Sequence, residues 1–263
     1  MKIKANGIYI NYELSGQNGA NTVMLSHSLG SDLTMWSAQM EPLENIFRVL
    51  RFDTRGHGKS DAPQGKYTLE QLGDDAVALM DALGIEKAHW VGISMGGMIG
   101  QSIALNHPDR LMSLVLCDTA AIVSEEDQPV WQDRIDTARN KGLEPLLQGT
   151  LERWFTAPFL SQNPPAVEQI REQYLATPVS GFIGCSEAIR RLNYIDRLHE
   201  IHMPTLIMVG KEDLGTPVTL SRAMHERISN SRLVVIPSAA HLSNVEQPEA
   251  FTAALINFLE KLK

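Results

Sequence analysis

A serine set in Gly92-Ile93-Ser94-Met95-Gly96 is the part of this sequence best suited to covalent chemistry. Glycines two before and two after the serine let a strand turn sharply into a helix. Such a turn pushes the hydroxyl outward and aims the first amides of the new helix at whatever it attacks. A hydroxyl is a weak nucleophile until a base takes its proton, so the reading requires a histidine and an acid that orients it. Of the eight histidines, His241 in Ser238-Ala239-Ala240-His241 has the best position, just past a short apolar run and ahead of the last helical pattern. Asp213 follows another apolar run through Gly210 and is chosen as the acid; Glu212 and Asp118 are its rivals. The chemistry implied is acyl transfer, with Ser94 attacking a carbonyl, His241 taking its proton and Asp213 holding the imidazole in the required tautomer.

The oxyanion formed by that attack needs two backbone donors already in place. The amide of Met95, directly after the nucleophile, is one. The turn Ser26-His27-Ser28-Leu29-Gly30 should supply the other; Leu29 is chosen, with Ser28 as the alternative. His27 is read as ordering that turn, and His57, in Asp53-Thr54-Arg55-Gly56-His57-Gly58, as structural. No histidine pair has the spacing or carboxylate company of a metal site, so neither a metal nor any other cofactor is expected.

These residues can meet only if strands deliver them to one edge of a sheet. Gly7 to Leu14 alternates like a strand, and short apolar runs recur at Val23 to Leu25, Phe47 to Phe52, His89 to Val91, Leu114 to Leu116, Leu206 to Val209 and Leu233 to Ile236. Helical patterns lie between many of them. Leu69 to Leu83 places Leu72, Ala76, Leu79, Met80 and Leu83 three and four apart, and Pro248 to Leu262 does the same with Phe251, Ala254, Leu255, Phe258 and Leu259. The alternation predicts an α/β fold with a mostly parallel twisted sheet flanked by helices, and an antiparallel edge from the first hairpin-like stretch. It stops after Asp118 and resumes at Met203. Between them, helical patterns at Trp131 to Ala138, Leu143 to Phe155 and Pro164 to Leu175 predict an inserted α-helical cap. The expected division is a core of residues 1–120 and 196–263 with a cap of residues 121–195.

The chain resembles the α/β-hydrolase superfamily, in which the triad follows the same order of serine, acid and histidine. The segments SHSLGSDLTMW, FRVLRFDTRGHGKSDAP, YTLEQLGDDAVALMDALGI, VGISMGGMIGQSIALNHPDRL, LCDTAA and RWFTAPF are similar to those of bacterial 3-oxoadipate enol-lactonases. The last two are the more particular to lactonases, whereas CSEAIRRLNYID departs from their pattern at Arg190 and Arg191. The resemblance implies opening of an enol-lactone through an acyl-enzyme, with a small neutral ester as the alternative substrate. C–C hydrolysis and a ligand receptor that has lost turnover rank below both. An enol-lactone of this kind carries a carboxylate, so a local cation is needed; Arg153, Arg190 and Arg191 are the candidates, with Trp154 as a wall of the pocket.

Composition removes other classes. In 263 residues, 23 Lys and Arg stand against 31 Asp and Glu, a net charge of −8 that would repel a phosphate backbone, so nucleic acid is not an expected partner. No run of 18 or more apolar residues predicts a membrane span, and no signal peptide is read at the N-terminus. Two cysteines, Cys117 and Cys185, build no disulfide framework and fit a reducing cytoplasm. Oligomeric state is not legible at this level.

Overall fold

The computed structural model describes residues 1–262. Eight strands form one sheet: β1 (Lys2–Ala5), β2 (Ile8–Gly16), β3 (Thr22–Ser26), β4 (Arg48–Phe52), β5 (Ala88–Ile93), β6 (Leu111–Cys117), β7 (Thr205–Gly210) and β8 (Ser231–Ile236). Their order is β1-β2-β4-β3-β5-β6-β7-β8. Strand β2 pairs antiparallel with both β1 and β4, and every other pair is parallel. Strands β3, β5 and β7 are buried at every residue, which is why they read as unbroken apolar runs and not as alternating ones. The added strand, β1, is only four residues of mixed character, and it joins β2 through Asn6 and Gly7, both at positive φ (44° and 82°) as a tight hairpin turn requires.

Register sets up the site. The parallel strands end level with one another: Ser26 lies opposite both Phe52 and Gly92, Ile93 opposite Cys117, Cys117 opposite Met208, and Gly210 opposite Ile236. The loops leaving β3, β5, β6, β7 and β8 therefore emerge along one carboxyl edge, the place where open α/β sheets carry their chemistry.

Helices α1 (Ser37–Glu44), α2 (Leu69–Ala82) and α3 (Met95–Asn106) precede the insertion. Of the predicted stripe, Leu72, Ala76, Leu79 and Met80 are buried in α2 and Leu83, at its C-cap, is half-buried; Thr68 caps the helix start by accepting the Gln71 amide at 3.1 Å. The helical subdomain between β6 and β7 contains α4 (Gln128–Lys141), α5 (Glu144–Trp154), α6 (Ala157–Ser161), α7 (Pro165–Ala176) and α8 (Val179–Ile189). Its two connections lie side by side: Ile122 bridges Asn193, the Val123 amide donates to Leu192 O at 3.0 Å, and the Tyr194 amide donates to Ala121 O at 2.7 Å. Helix α8 carries no helical pattern in the sequence because it is buried nearly all round; Gly181 lies so close to Gly56 that a Cβ there would sit 1.9 Å from the Gly56 carbonyl oxygen. Helices α9 (Val218–Arg227), α10 (Ser243–Glu246) and α11 (Pro248–Leu259) follow, and α11 buries Phe251, Leu255, Phe258 and Leu259 of its predicted pattern, with Ala254 half-buried. Among the described residues no helix is long and apolar enough to cross a membrane.

Candidate active site

Ser94 stands between β5 and α3 with φ 54° and ψ −116°, a left-handed conformation that a non-glycine residue holds only under constraint. The constraint is visible in its neighbours. A Cβ on Gly92 would sit 2.1 Å from the Gly96 carbonyl oxygen, and one on Gly96 would sit 2.2 Å from that of Ser26. The Ser94 amide donates to Cys117 O at 2.8 Å, and its carbonyl accepts the Thr119 hydroxyl at 2.7 Å, so the end of β6 braces the turn from the side.

His241 Nε2 lies 2.9 Å from Ser94 Oγ, and His241 Nδ1 lies 2.8 Å from Asp213 Oδ2. Asp213 is itself fixed: Oδ1 accepts the amides of Gly215 (2.8 Å) and Thr216 (2.9 Å), and Oδ2 also accepts the Thr216 hydroxyl at 2.7 Å. A carboxylate with these donors accepts His241 Nδ1–H, which leaves Nε2 free to receive the serine proton. Burial alone would favour neutral forms of both groups, but the ion pair outweighs it. Asp213 is held below the usual carboxylate range and His241 above the usual imidazole value. Of the rival acids, Glu212 is exposed, while Asp118 is fully buried and bonds to the Gly210 amide and the Ser243 hydroxyl, not to His241.

The turn after β3 is held by two histidines, consistent with the structural reading of both. His27 Nδ1–H donates to the Ser28 carbonyl at 2.7 Å while Nε2 accepts the Thr54 amide at 2.9 Å. His57 Nε2 accepts the Gly30 amide at 2.9 Å, and its Nδ1–H points to the Arg55 carbonyl at 3.3 Å. Burial, reinforced by the neighbouring His27, pushes His57 down to about 3, so its ring is neutral. Leu29 lines the cavity beside this pair, and its amide meets no backbone acceptor among the described residues. Met95 opens α3, where the helix itself offers its amide no partner.

Above the triad lies a cavity of about 240 Å³. Ser94, His241 and Leu29 form its floor, Trp131, Trp154 and Tyr174 its aromatic walls, and Val130, Leu214 and Leu220 contribute apolar surface. Two arginines face it, Arg153 and Arg134. Arg153 donates to Thr150 Oγ1 at 3.1 Å, and the Arg134 guanidinium stacks 4.8 Å from the centre of the Trp131 ring. Neither forms an ion pair among the described residues. Burial, then mutual repulsion, lowers Arg134 to about 10; burial lowers Arg153 as well.

Arg190 and Arg191 do not line the cavity, contrary to their expected place. Both turn to Glu187, one helical turn back on α8, at 3.3 Å and 3.7 Å, and Arg190 also donates to Gln132 at 2.5 Å. Glu187 is almost wholly buried and also meets Lys66 at 3.4 Å, so these cations neutralise a carboxylate that α8 has drawn inward. The sequence reading missed Arg134. Its signal was the spacing from Trp131, three positions earlier on one helix face.

The cap also touches the catalytic loop directly. Glu246 is buried and accepts the Ala240 amide at 2.9 Å and the Thr156 amide at 3.1 Å, besides the Thr156 hydroxyl. The Leu242 amide donates to Trp154 O at 3.1 Å. Both neighbours of His241 are thus tied to the end of α5 and the residues just after it, Leu242 directly and Ala240 through Glu246. Among the described residues no group of three or more histidine, cysteine or acidic side chains could hold a metal.

A strained serine at a strand-to-helix turn, bonded to a histidine that an aspartate orients, defines a serine ester or lactone hydrolase. The chain belongs to the α/β-hydrolase fold family, whose profile matches residues 21–248. It is similar to 3-oxoadipate enol-lactonase 2 of Acinetobacter baylyi, 37% identical over 253 residues that cover 96% of this chain and 94% of the relative. The crystal structure of the enol-lactonase from Burkholderia xenovorans LB400 superposes with a TM-score of 0.96 at 38% identity, covering 99% of this chain and 100% of that one. A thermophilic esterase from Thermogutta terrifontis, solved with malate bound, gives 0.94 at 33% identity, covering 100% and 98%.

Proposed function

We propose that the protein hydrolyses a small anionic enol-lactone of the 3-oxoadipate enol-lactone type. The observation that carries the reading is the pair Arg134 and Arg153, two arginines without ion-pair partners that face the triad cavity of a protein whose overall charge is negative. Leaving a guanidinium half-buried without a counter-ion is costly unless an anion is meant to arrive. An arginine fork suits a carboxylate, and the aromatic walls, Trp154 among them, suit a flat ring. The similarity to enol-lactonases supports the same substrate class.

In this mechanism Ser94 Oγ attacks the lactone carbonyl as its proton passes to His241 Nε2. The amides of Met95 and Leu29 receive the oxyanion. Collapse breaks the ring C–O bond, and His241 returns the proton to the departing enol oxygen, which stays tethered to the acyl group. Water activated by His241 then cleaves the acyl-enzyme. The freed enol tautomerises to a ketone, leaving an open-chain dicarboxylate. In this reading residues 121–195 form the specificity module over the triad chemistry of the core, and the two buried free thiols Cys117 and Cys185 suit a reducing cytoplasm.

The apolar surface of Val130, Leu214 and Leu220 favours a second reading, hydrolysis of small neutral esters. Side-by-side measurement of kcat/KM on 3-oxoadipate enol-lactone and on 4-nitrophenyl acetate, with Ser94→Ala as the blank, separates the two. Preference for the lactone, lost in Arg153→Leu, is the expected result. Preference for the neutral ester would assign an esterase.

A further inference from the structure

Asp118 is a buried carboxylate beside the triad that the reaction does not use. It directly follows β6 in a left-handed conformation (φ 44°) and is fully buried. Its two oxygens reach in different directions. Oδ1 accepts the amide of Gly210, three residues before Asp213, at 2.7 Å, and Oδ2 meets the hydroxyl of Ser243, two residues after His241, at 2.5 Å. The two loops are already close: the Glu212 amide donates to Ala239 O at 2.9 Å, and a Cβ on Gly210 would lie 2.1 Å from Ala240 O. The residues on either side of Asp118 brace Ser94, through Cys117 O and the Thr119 hydroxyl. A single three-residue segment therefore touches the supports of all three triad members.

We propose that Asp118 is a positioning residue, whose carboxyl group clamps the segment leading to Asp213 against the segment following His241 and so sets the spacing of the acid–base pair. The titratable groups facing it are Asp213 and His241, and burial together with the charge of Asp213 pushes it up to about 8. Oδ1 accepts the Gly210 amide and Oδ2 accepts the Ser243 hydroxyl, so both oxygens are engaged. The sequence reading placed Asp118 among the rival acids; its geometry gives it this different task.

The test is kcat and KM on a neutral aryl ester, so that the outcome does not depend on the lactone reading, with thermal melting as the check on folding. Asp118→Gly removes the carboxyl yet tolerates positive φ. Asp118→Asn keeps an acceptor for the Gly210 amide and places an NH2 group against Ser243 Oγ, a hydroxyl that can accept as well as donate. Displacements of about an ångström at reacting groups cost on the order of 100-fold. Asp118→Gly should lower kcat by about 10- to 100-fold with KM within about twofold, and Asp118→Asn should recover kcat to within about fivefold of the parent. Ser243→Ala, which severs one arm only, should lower kcat by about 3- to 10-fold. The proposal fails if folded Asp118→Gly keeps its kcat within about twofold, or if folded Asp118→Asn is no better than the glycine variant. Should Asp118→Gly not fold, Ser243→Ala with parental kcat refutes it.

Discussion

Replacing Asp213 with asparagine changes one oxygen to an amide nitrogen, and the structure dictates which one. Oδ1 sits between the Gly215 and Thr216 amides at 2.8 and 2.9 Å, so an NH2 group placed there would face two donors. The new NH2 must therefore take the place of Oδ2, where it points at His241 Nδ1 over a distance of 2.8 Å. Nδ1 then has to accept, its proton moves to Nε2, and Nε2 can no longer take the proton of Ser94. Restoring the productive tautomer sacrifices a charge-assisted hydrogen bond, about 1.5–3 kcal/mol, and sets two buried donors against each other, about 1–3 kcal/mol more. At about 1.36 kcal/mol per decade the sum corresponds to a loss of about 10²- to 10⁴-fold in kcat. Stopped-flow hydrolysis of a 4-nitrophenyl ester, on protein whose melting matches the parent, measures it. Retention of more than about a tenth of kcat would refute the assignment of Asp213 as the orienting acid.

Four other outcomes follow from the same geometry. Arg153→Leu and Arg134→Leu should each raise KM for an anionic lactone by about 10-fold or more while changing a neutral ester little, because a charge-assisted hydrogen bond is lost only with the anion; parallel steady-state kinetics decide it. His241 must be unprotonated to act and is held above 6.5 by Asp213 despite burial, so the acidic limb of the kcat/KM profile should have its midpoint above 6.5. His57 has a folded value lowered from 6.5 to about 3. The unfolded chain therefore binds the proton first, stability is complete above 6.5, and on the order of 4 kcal/mol is lost as pH falls towards 3. Urea titrations should show a flatter pH slope in His57→Gln. Gly96→Ala should fail to yield soluble folded protein, because its Cβ would meet the rigid Ser26 carbonyl at 2.2 Å; a cooperative parental melt would contradict that.

The strand set and the triad were readable because each rests on a local, one-dimensional signal. Unbroken apolar runs mark β3, β5 and β7, and a glycine on either side of Ser94 can only mean a close turn. Charged side chains of the cap were less legible, since a helix shows its charges without showing which face looks inward. Arg190 and Arg191 drew attention as a departure in sequence, yet their direction is set by Glu187, whose burial depends on how α8 packs. Arg134 looked like one more charge in a polar helix until α4 was seen to turn Trp131 and Arg134 towards the cavity. Helix α8 itself lacked a polar face to give it away. The role of Asp118 was invisible for a different reason: it depends on two partners 92 and 125 positions along the chain.

The Glu246 tie to Thr156 and Ala240 bears on how such enzymes can be recombined. A cap exchanged as a cassette between relatives would carry off Thr156 and the carbonyl of Trp154, the partners that anchor the segments on either side of His241. Grafting a new cap here transplants part of the catalytic scaffold along with the specificity. Chimaeras cut on the core side of these contacts should inherit the donor cap's turnover as well as its choice of substrate, and those that leave position 156 unmatched should lose rate on every substrate alike.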